Sequence, residues 1–349
     1  MDNQSSPILE VKDLKTYFMM DEGVVKAVDG VSFDVYPGQA VGIVGESGCG
    51  KSVTMRSVLR IVDRPGRIVG GELLFHPKSG GSDSDKQEVI DLVTLDPKGS
   101  QMRAIRGAEI ALIPQEPMTA FSPVHTIGNQ IMEAILLHQE VSEAEARQQA
   151  IKVLHEVGVS MPEKRLDAYS WQLSGGLRQR AIIAMALSCH PSILIADEPT
   201  TAIDVTTQAQ ILDLLRSLQQ QSNTAIIFIT HDLGVVAQMT NYVVVMYLGR
   251  VMEAGSVDEI FHAPKHPYTQ ALLRSIPSVQ STPRVPLPTI TGSIPHPFNR
   301  PPGCPFHPRC TAFMKGICDC NVPELKTVDG QRVSCFLYQD VEGEDRGRA

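Results

Sequence analysis

Apolar and polar residues alternate along ILEVKDL (8–14) and VKAVDGVSFDVYPG (25–38), and QAVGIVG (39–45) follows as a third β-type run. Patterning of this kind predicts strands, with the Asp29-Gly30 and Pro37-Gly38 pairs expected as the turns that divide them. The third strand runs into a glycine loop and then into a helical pattern from Ser52 to Val62. Residues 101–190 are predicted mostly helical, most clearly 127–157, where apolar residues recur at helical spacing. Short β runs return at 192–196 (SILIA), 224–230 (TAIIFIT) and 242–247 (YVVVMY), with a helix over 205–221. This alternation predicts an α/β fold, a mainly parallel sheet with helices on its faces.

Two stretches break the pattern. Residues 77–100 turn polar and rich in glycine and serine, which predicts a surface insertion with mobile parts. Beyond 261, one short helix in FHAPKHPYTQALLRSIPSVQ (261–280) precedes the proline-rich PRVPLPTITGSIPHPFNRPPG (283–303), expected to be extended. A cysteine segment and a charged tail, EGEDRGRA, expected to be disordered, complete the chain. The change of character divides the sequence into 1–260 and 261–349, in keeping with roughly 150 residues per domain.

Composition is that of an ordinary globular protein, 42% apolar and 20% charged, with formal net charge −8. The acidic balance argues against broad electrostatic binding to nucleic acid. The longest apolar runs, such as AIIAMAL (181–187), fall far short of the ~20 residues that span a bilayer. The start, MDNQSSPILEVKD, lacks the basic and then apolar stretch of a secretion signal. The expectation is a cytosolic protein whose membrane role, if any, comes through a partner.

The candidate chemistry lies at strand ends. GESGCGKS (45–52) matches G-x-x-x-x-G-K-[ST] between an apolar strand and a helix, the context a phosphate-binding loop requires. Gly45, Glu46, Ser47, Gly48, Cys49 and Gly50 would wrap phosphates with backbone N–H groups, with Val53 just beyond. Lys51 would neutralise β/γ oxygens and Ser52 would coordinate Mg²⁺. Cys49 reads as small filler within the loop. In ILIADEP (193–199), Asp197 and Glu198 emerge at the carboxyl end of a buried strand, where open parallel sheets bind ligands. Asp197 is expected to hold Mg²⁺ and Glu198 to polarise the attacking water, although adjacent acids at a strand end also suit a solvated turn. His231 ends another apolar strand, where a histidine is more often structural; here it is expected at the γ-phosphate. Gln115, after the apolar ALI, could reach both Mg²⁺ and the water. A second glycine-bearing helix start, LSGGLRQR (173–180), is a further anion cradle.

These pieces, in this order, resemble the ATP-binding-cassette (ABC) ATPases over residues 8 to about 260. The resemblance implies a RecA-like core sheet with an antiparallel β subdomain and a helical signature subdomain at about 101–190, followed by a small irregular C-terminal extension. It also implies a head-to-tail dimer in which Ser174, Gly175 and Gly176 bind the γ-phosphate held by the partner cassette. Asp204, in TAID (201–204), would sit at the dimer seam; isoleucine at 203 stands where the family usually has leucine. Phe18 aligns with the aromatic that stacks on adenine, with Tyr17 as the competing choice.

A narrower resemblance, carried by residues 105–131, by HPYTQALLRSIP and by PPGCPFHPRC (301–310), is to the oligopeptide/dipeptide permease ATPases. SPV after the glutamine loop, where NPV is common, and the polar insertion depart from it. The resemblance implies an ATP-hydrolysing importer subunit at the cytoplasmic face of the membrane. Its partners would be a second, paralogous ATPase, two membrane permease subunits and an extracytoplasmic solute-binding protein. The cargo would be peptides, with nickel or oligosaccharide as alternatives. The permease is expected to dock beside Gln115 to Val124. A soluble ABC ATPase acting on nucleic acid or ribosomes commonly carries two cassettes or a long coiled coil, and a P-loop kinase would not need LSGG or Asp204. Of the seven cysteines, Cys304, Cys310, Cys318 and Cys335 lie with five, seven and sixteen residues between them. These spacings lack the short pairs zinc favours. Four thiolates could hold a [4Fe–4S] cluster, to which the resemblance points; Cys320 could replace Cys318, and a thiol-lined core without metal is the other reading.

Overall fold

The computed structural model describes residues 6–77, 89–116, 120–201, 204–276 and 290–339. Most of the polar insertion, residues 202–203 of the TAID loop, the first part of the proline-rich stretch and the charged tail lie outside the described residues.

Strands β1 (Leu9–Met20) and β2 (Gly23–Val35) form an antiparallel hairpin, and β3 (Ala40–Val44) enters the molecule's centre. The Pro37-Gly38 turn lies where expected, with Gln39 N–H donating to Tyr36 O at 3.0 Å. Asp29-Gly30 is not a turn, because β2 runs through it. The register jumps from Leu14–Val31 to Lys15–Asp29, leaving Gly30 as a bulged residue at φ +87°, a conformation suited to glycine. Helix α1 (Lys51–Val58) ends earlier than its apolar pattern suggested, and Arg60 beyond it takes φ +55°.

Strands β4 (Gly66–Phe75) and β5 (Ile90–Asp91) complete a four-stranded antiparallel sheet in the order β2-β1-β4-β5. Helix α2 (Ser100–Ile105) and strand β6 (Ile110–Ile113) follow. The strand interrupts a stretch expected to be mostly helical; a four-residue apolar run carries no periodicity to separate strand from helix. The helical part proper comprises α3 (Ile127–His138), α4 (Glu143–Glu156), α5 (Pro162–Leu166) and α6 (Gly175–Leu187). Thr126 caps α3, and Ser142 with Glu145 forms a capping box on α4. Ile131, Ile135, Ala150, Leu154 and Ile182 bury its interior, each large side chain stabilising by about 1.5–3 kcal/mol.

Next come β7 (Ile193–Asp197), α7 (Val205–Ser222), β8 (Ala225–Ile229), α8 (Leu233–Met239), β9 (Tyr242–Tyr247) and β10 (Arg250–Ser256). Short helices α9 (Val257–His262) and α10 (Pro267–Arg274) precede the C-terminal hairpin β11 (Lys326–Val328) and β12 (Gln331–Val333). The larger sheet has the order β11-β12-β10-β9-β3-β8-β7-β6. Its central strands β9-β3-β8-β7-β6 are parallel, and β10, β12 and β11 add antiparallel at one edge. The segment beyond 261 therefore joins the main sheet, and Tyr268, Phe306, Cys318 and Phe336 pack with Tyr247 in a core of their own.

Candidate functional site

The loop between β3 and α1 wraps a cavity of about 470 Å³, lined by Ser47 through Val53 with Ala27, Gln115, Glu198 and His231. Lys51 is buried, and its ammonium donates to Gly45 O at 2.8 Å and Glu46 O at 3.1 Å, which stretches the side chain along the loop. Two of the loop's glycines have no room for a side chain. A Cβ on Gly50, whose φ is +102°, would collide with Ala27 O, and one on Gly45, at φ +151°, with Met246 O. Burial pushes the Cys49 thiol up, and its sulfur packs 3.7 Å from the Lys51 ammonium, a filler's place.

The acids arrive from β7. Ser52 Oγ donates to Asp197 Oδ1 at 3.1 Å across 145 residues of sequence. Burial raises Asp197, and a cation held by Ser52 and Asp197 would favour its ionised form. The pair is the hard-oxygen donor set that Mg²⁺ takes. Glu198, at φ +49°, accepts from Gln115 Nε2 at 3.1 Å and Thr201 Oγ1 at 3.0 Å, and His231 Nδ1 lies 3.1 Å from its other oxygen. Burial opposes its ionisation, but the hydrogen bonds from His231, Thr201 and Gln115 win and hold the carboxyl below its ordinary range. Thr201 was not singled out from the sequence as a partner of Glu198, although its place three residues after a strand-end acid put it within reach.

The second cradle lies elsewhere. Ser174 caps α6 by accepting from Leu177 N–H, and Ser174 and Gly175 are exposed. Asp204 caps α7, accepting from Thr207 N–H at 2.9 Å and Thr207 Oγ1 at 2.7 Å, bonds that lower its carboxyl pKa. The two helix starts are neighbours, since a Cβ on Gly176 would lie 3.0 Å from Thr207 Cγ2. None of Ser174, Gly175, Gly176 or Asp204 lines the cavity around Lys51.

An ABC transporter family model matches residues 28–201, and a model of the oligopeptide/dipeptide transporter C-terminal region matches 252–318. Oligopeptide transport ATP-binding protein AppD of Bacillus subtilis is 46% identical, over 96% of this chain and 98% of its own. Dipeptide transport ATP-binding protein DppD of Escherichia coli is 44% identical over the same shares. The chain belongs to the ABC transporter ATPases. Among solved structures, the dimeric MJ0796 bacterial ABC transporter cassette superposes with TM-score 0.60 at 25% identity, over 71% of this ABC chain and 98% of that one. The cbiO1 cassette of Clostridium perfringens, part of the transporter complex cbiONQ, gives 0.57 at 25% identity over 74% and 91%.

Neither aromatic considered for adenine in this ABC subunit lines the phosphate cavity. Tyr17 is committed elsewhere, its hydroxyl donating to Asp29 Oδ1 at 2.6 Å, while Phe18 packs at Gly66. Asp29 in turn accepts from Arg250 at 2.8 Å and Arg300 at 2.9 Å. Cys304, Cys318 and Cys335 are buried and Cys310 half-buried, close enough that each of Cys304, Cys310 and Cys335 senses its neighbours' charge; Cys320 is exposed. Burial first, then this mutual proximity, pushes Cys304 up to about 12 and Cys335 up to about 11, which favours neutral thiols. Among the described residues no group of three or more His, Cys, Asp or Glu side chains is arranged to hold a metal. The geometry of the described residues thus lends the [4Fe–4S] reading no support; Cys304 and Cys318 are buried beside Phe306, Ile317 and Phe336, with Cys310 at the edge of that core.

Proposed function

We infer that this chain is the ATP-hydrolysing subunit of an importer, coupling ATP + H₂O → ADP + Pi to passage of peptides through separate permease subunits. The observation that supports it most is one cavity lined by the Lys51 loop and by Glu198, His231 and Gln115, with Asp197 bonded to Ser52 at its wall. Lys51 and the loop N–H groups would hold the β- and γ-phosphates. Glu198 would accept the proton of the attacking water, with Gln115, Thr201 and His231 orienting its carboxylate. Mg²⁺, held by Ser52 and Asp197, would neutralise charge between the phosphates when bound.

Exposure of the α6 and α7 starts supports a composite site, in which Ser174, Gly175, Gly176 and Asp204 close over the triphosphate of a second cassette, a paralogue in this reading. Among the described residues no helix is long and apolar enough to cross a membrane. Attachment to the cytoplasmic face would therefore come through two permease subunits docked near Gln115 and the exposed Val124, with a solute-binding protein delivering cargo outside. Peptide as cargo rests on the names of AppD and DppD and on the match at 252–318. Proteoliposomes holding the chain with its genomic neighbours should accumulate labelled dipeptide or oligopeptide only with internal ATP. Uptake of nickel or an oligosaccharide instead would change the cargo but keep the ATPase, and ATP-independent uptake would overturn the coupling.

A further inference from the structure

The loop that surrounds Lys51 is gripped from behind by the C-terminal segment. Glu46 donates its backbone N–H to the Tyr268 hydroxyl at 3.0 Å. Its carboxylate meets Arg309 at two points, Nη1 to Oε2 at 2.6 Å and Nη2 to Oε1 at 3.0 Å. The Arg309 side chain, from PPGCPFHPRC, is 4% exposed, so solvent screens this pair weakly. The guanidinium is itself fixed: Nε donates to Thr291 O at 3.1 Å, Nη1 reaches Tyr247 Oη at 3.3 Å, and the group lies 5.8 Å from the Tyr247 ring centre. Tyr247 packs against Tyr268 and Phe306 with ring centroids 4.8 and 5.4 Å apart.

Two consequences follow from this chain of contacts. Glu46 O is one of the two carbonyls that take the Lys51 ammonium, so the position of Glu46 bears on where the lysine lies. A carboxylate in a loop built for a polyanion also repels its ligand unless a cation compensates it. Arg309 does so while holding Glu46 off the cavity wall, of which neither residue is part.

We propose that Arg309 is a positioning residue for nucleotide binding, acting through Glu46, so that the cysteine-bearing segment sets the shape and charge of the loop that receives the triphosphate. This rests on the reading of the Lys51 loop as the phosphate site. The segment thereby serves the chemistry from a distance, without touching the reacting atoms.

The test uses the full chain, titrated with the fluorescent analogue mant-ATP in Mg²⁺, beside the melting temperature without nucleotide. Arg309→Met should raise Kd about tenfold by stranding a carboxylate beside the phosphates. Glu46→Gln should change Kd less than about threefold, because the amide oxygen still accepts from the guanidinium. The double variant should bind more tightly than Arg309→Met alone, a non-additivity that marks a direct pair. A Kd within about twofold of wild type for Arg309→Met, or no recovery in the double variant, overturns the proposal. A merely structural anchor would lower the melting temperature without moving Kd. Should Arg309→Met fail to fold, Arg309→Gln removes the charge but keeps a hydrogen-bond donor in the site, and the same recovery by Glu46→Gln is read there. Lys51→Ala is the separate control: unchanged mant-ATP affinity in that variant sinks the phosphate-site reading itself.

Discussion

His231 Nδ1 and Glu198 Oε1 lie 3.1 Å apart, joining the ends of neighbouring strands β8 and β7 above the phosphate loop. With the carboxyl held below its ordinary range, Glu198 accepts and Nδ1 carries the hydrogen. Ionised at neutral pH, this carboxylate is ready to take a proton. Glu198→Gln should lower ATP turnover by about 10²–10⁴-fold, the usual worth of a general base, while mant-ATP binding stays near wild type. Phosphate release measured beside the binding titration checks both halves.

The exposed start of α6 leads to a second expectation. Ser174→Arg places a bulky cation at a helix N-terminus that faces no group of the Lys51 cavity. The cap loss should cost about 1 kcal/mol of stability and leave nucleotide binding by a single chain intact. It should abolish the ATP-dependent dimer of the Glu198→Gln background, read by sedimentation velocity. Loss of binding in the monomer would place Ser174 in its own chain's pocket instead.

Two glycines at helix starts should respond oppositely to alanine. At Gly50 the added methyl meets Ala27 O and a left-handed φ, so Gly50→Ala should destabilise by several kcal/mol. At Gly175 nothing lies within 4 Å of the new Cβ. Gly175→Ala should be neutral or stabilise by up to about 1 kcal/mol through helix propensity. Urea midpoints of the two variants decide it.

His266 offers a pH test away from the nucleotide. Burial depresses its pKa from 6.5 to about 3, and its Nδ1 accepts from Tyr268 N–H at 3.0 Å as the cap of α10. Between those values the unfolded chain binds the extra proton, so stability is present above pH 6.5 and is lost as pH falls toward 3. Asn at this position can keep the cap without titrating. The drop in melting temperature from pH 7 to pH 5 should therefore be smaller in His266→Asn than in wild type.

Much of the site was legible because its parts are contiguous or stand at strand ends. GESGCGKS announced Lys51 and Ser52, and ILIADEP announced Asp197 and Glu198; parallel pairing of β3 with β8 and β8 with β7 brings them together. What failed depended on distant partners. Asp29-Gly30 reads as a turn by its residue types, yet Asp29 is an ion-pair centre for Arg250 and Arg300 in the middle of a strand. The same aspartate claims Tyr17, which no alternation rule foretells. The Glu46–Arg309 pair spans 263 residues, with no spacing rule to announce it.

The edge pairing of β12 with β10 sets a practical limit on how the molecule can be shortened. Glu253 and Ala254 are matched to Val333 and Arg332. A fragment cut at 260, where composition changes, would strip those partners away and bare β10 as an adhesive rim open to strand addition by another copy. Expression fragments intended to remain monodisperse should therefore retain the chain through Val333.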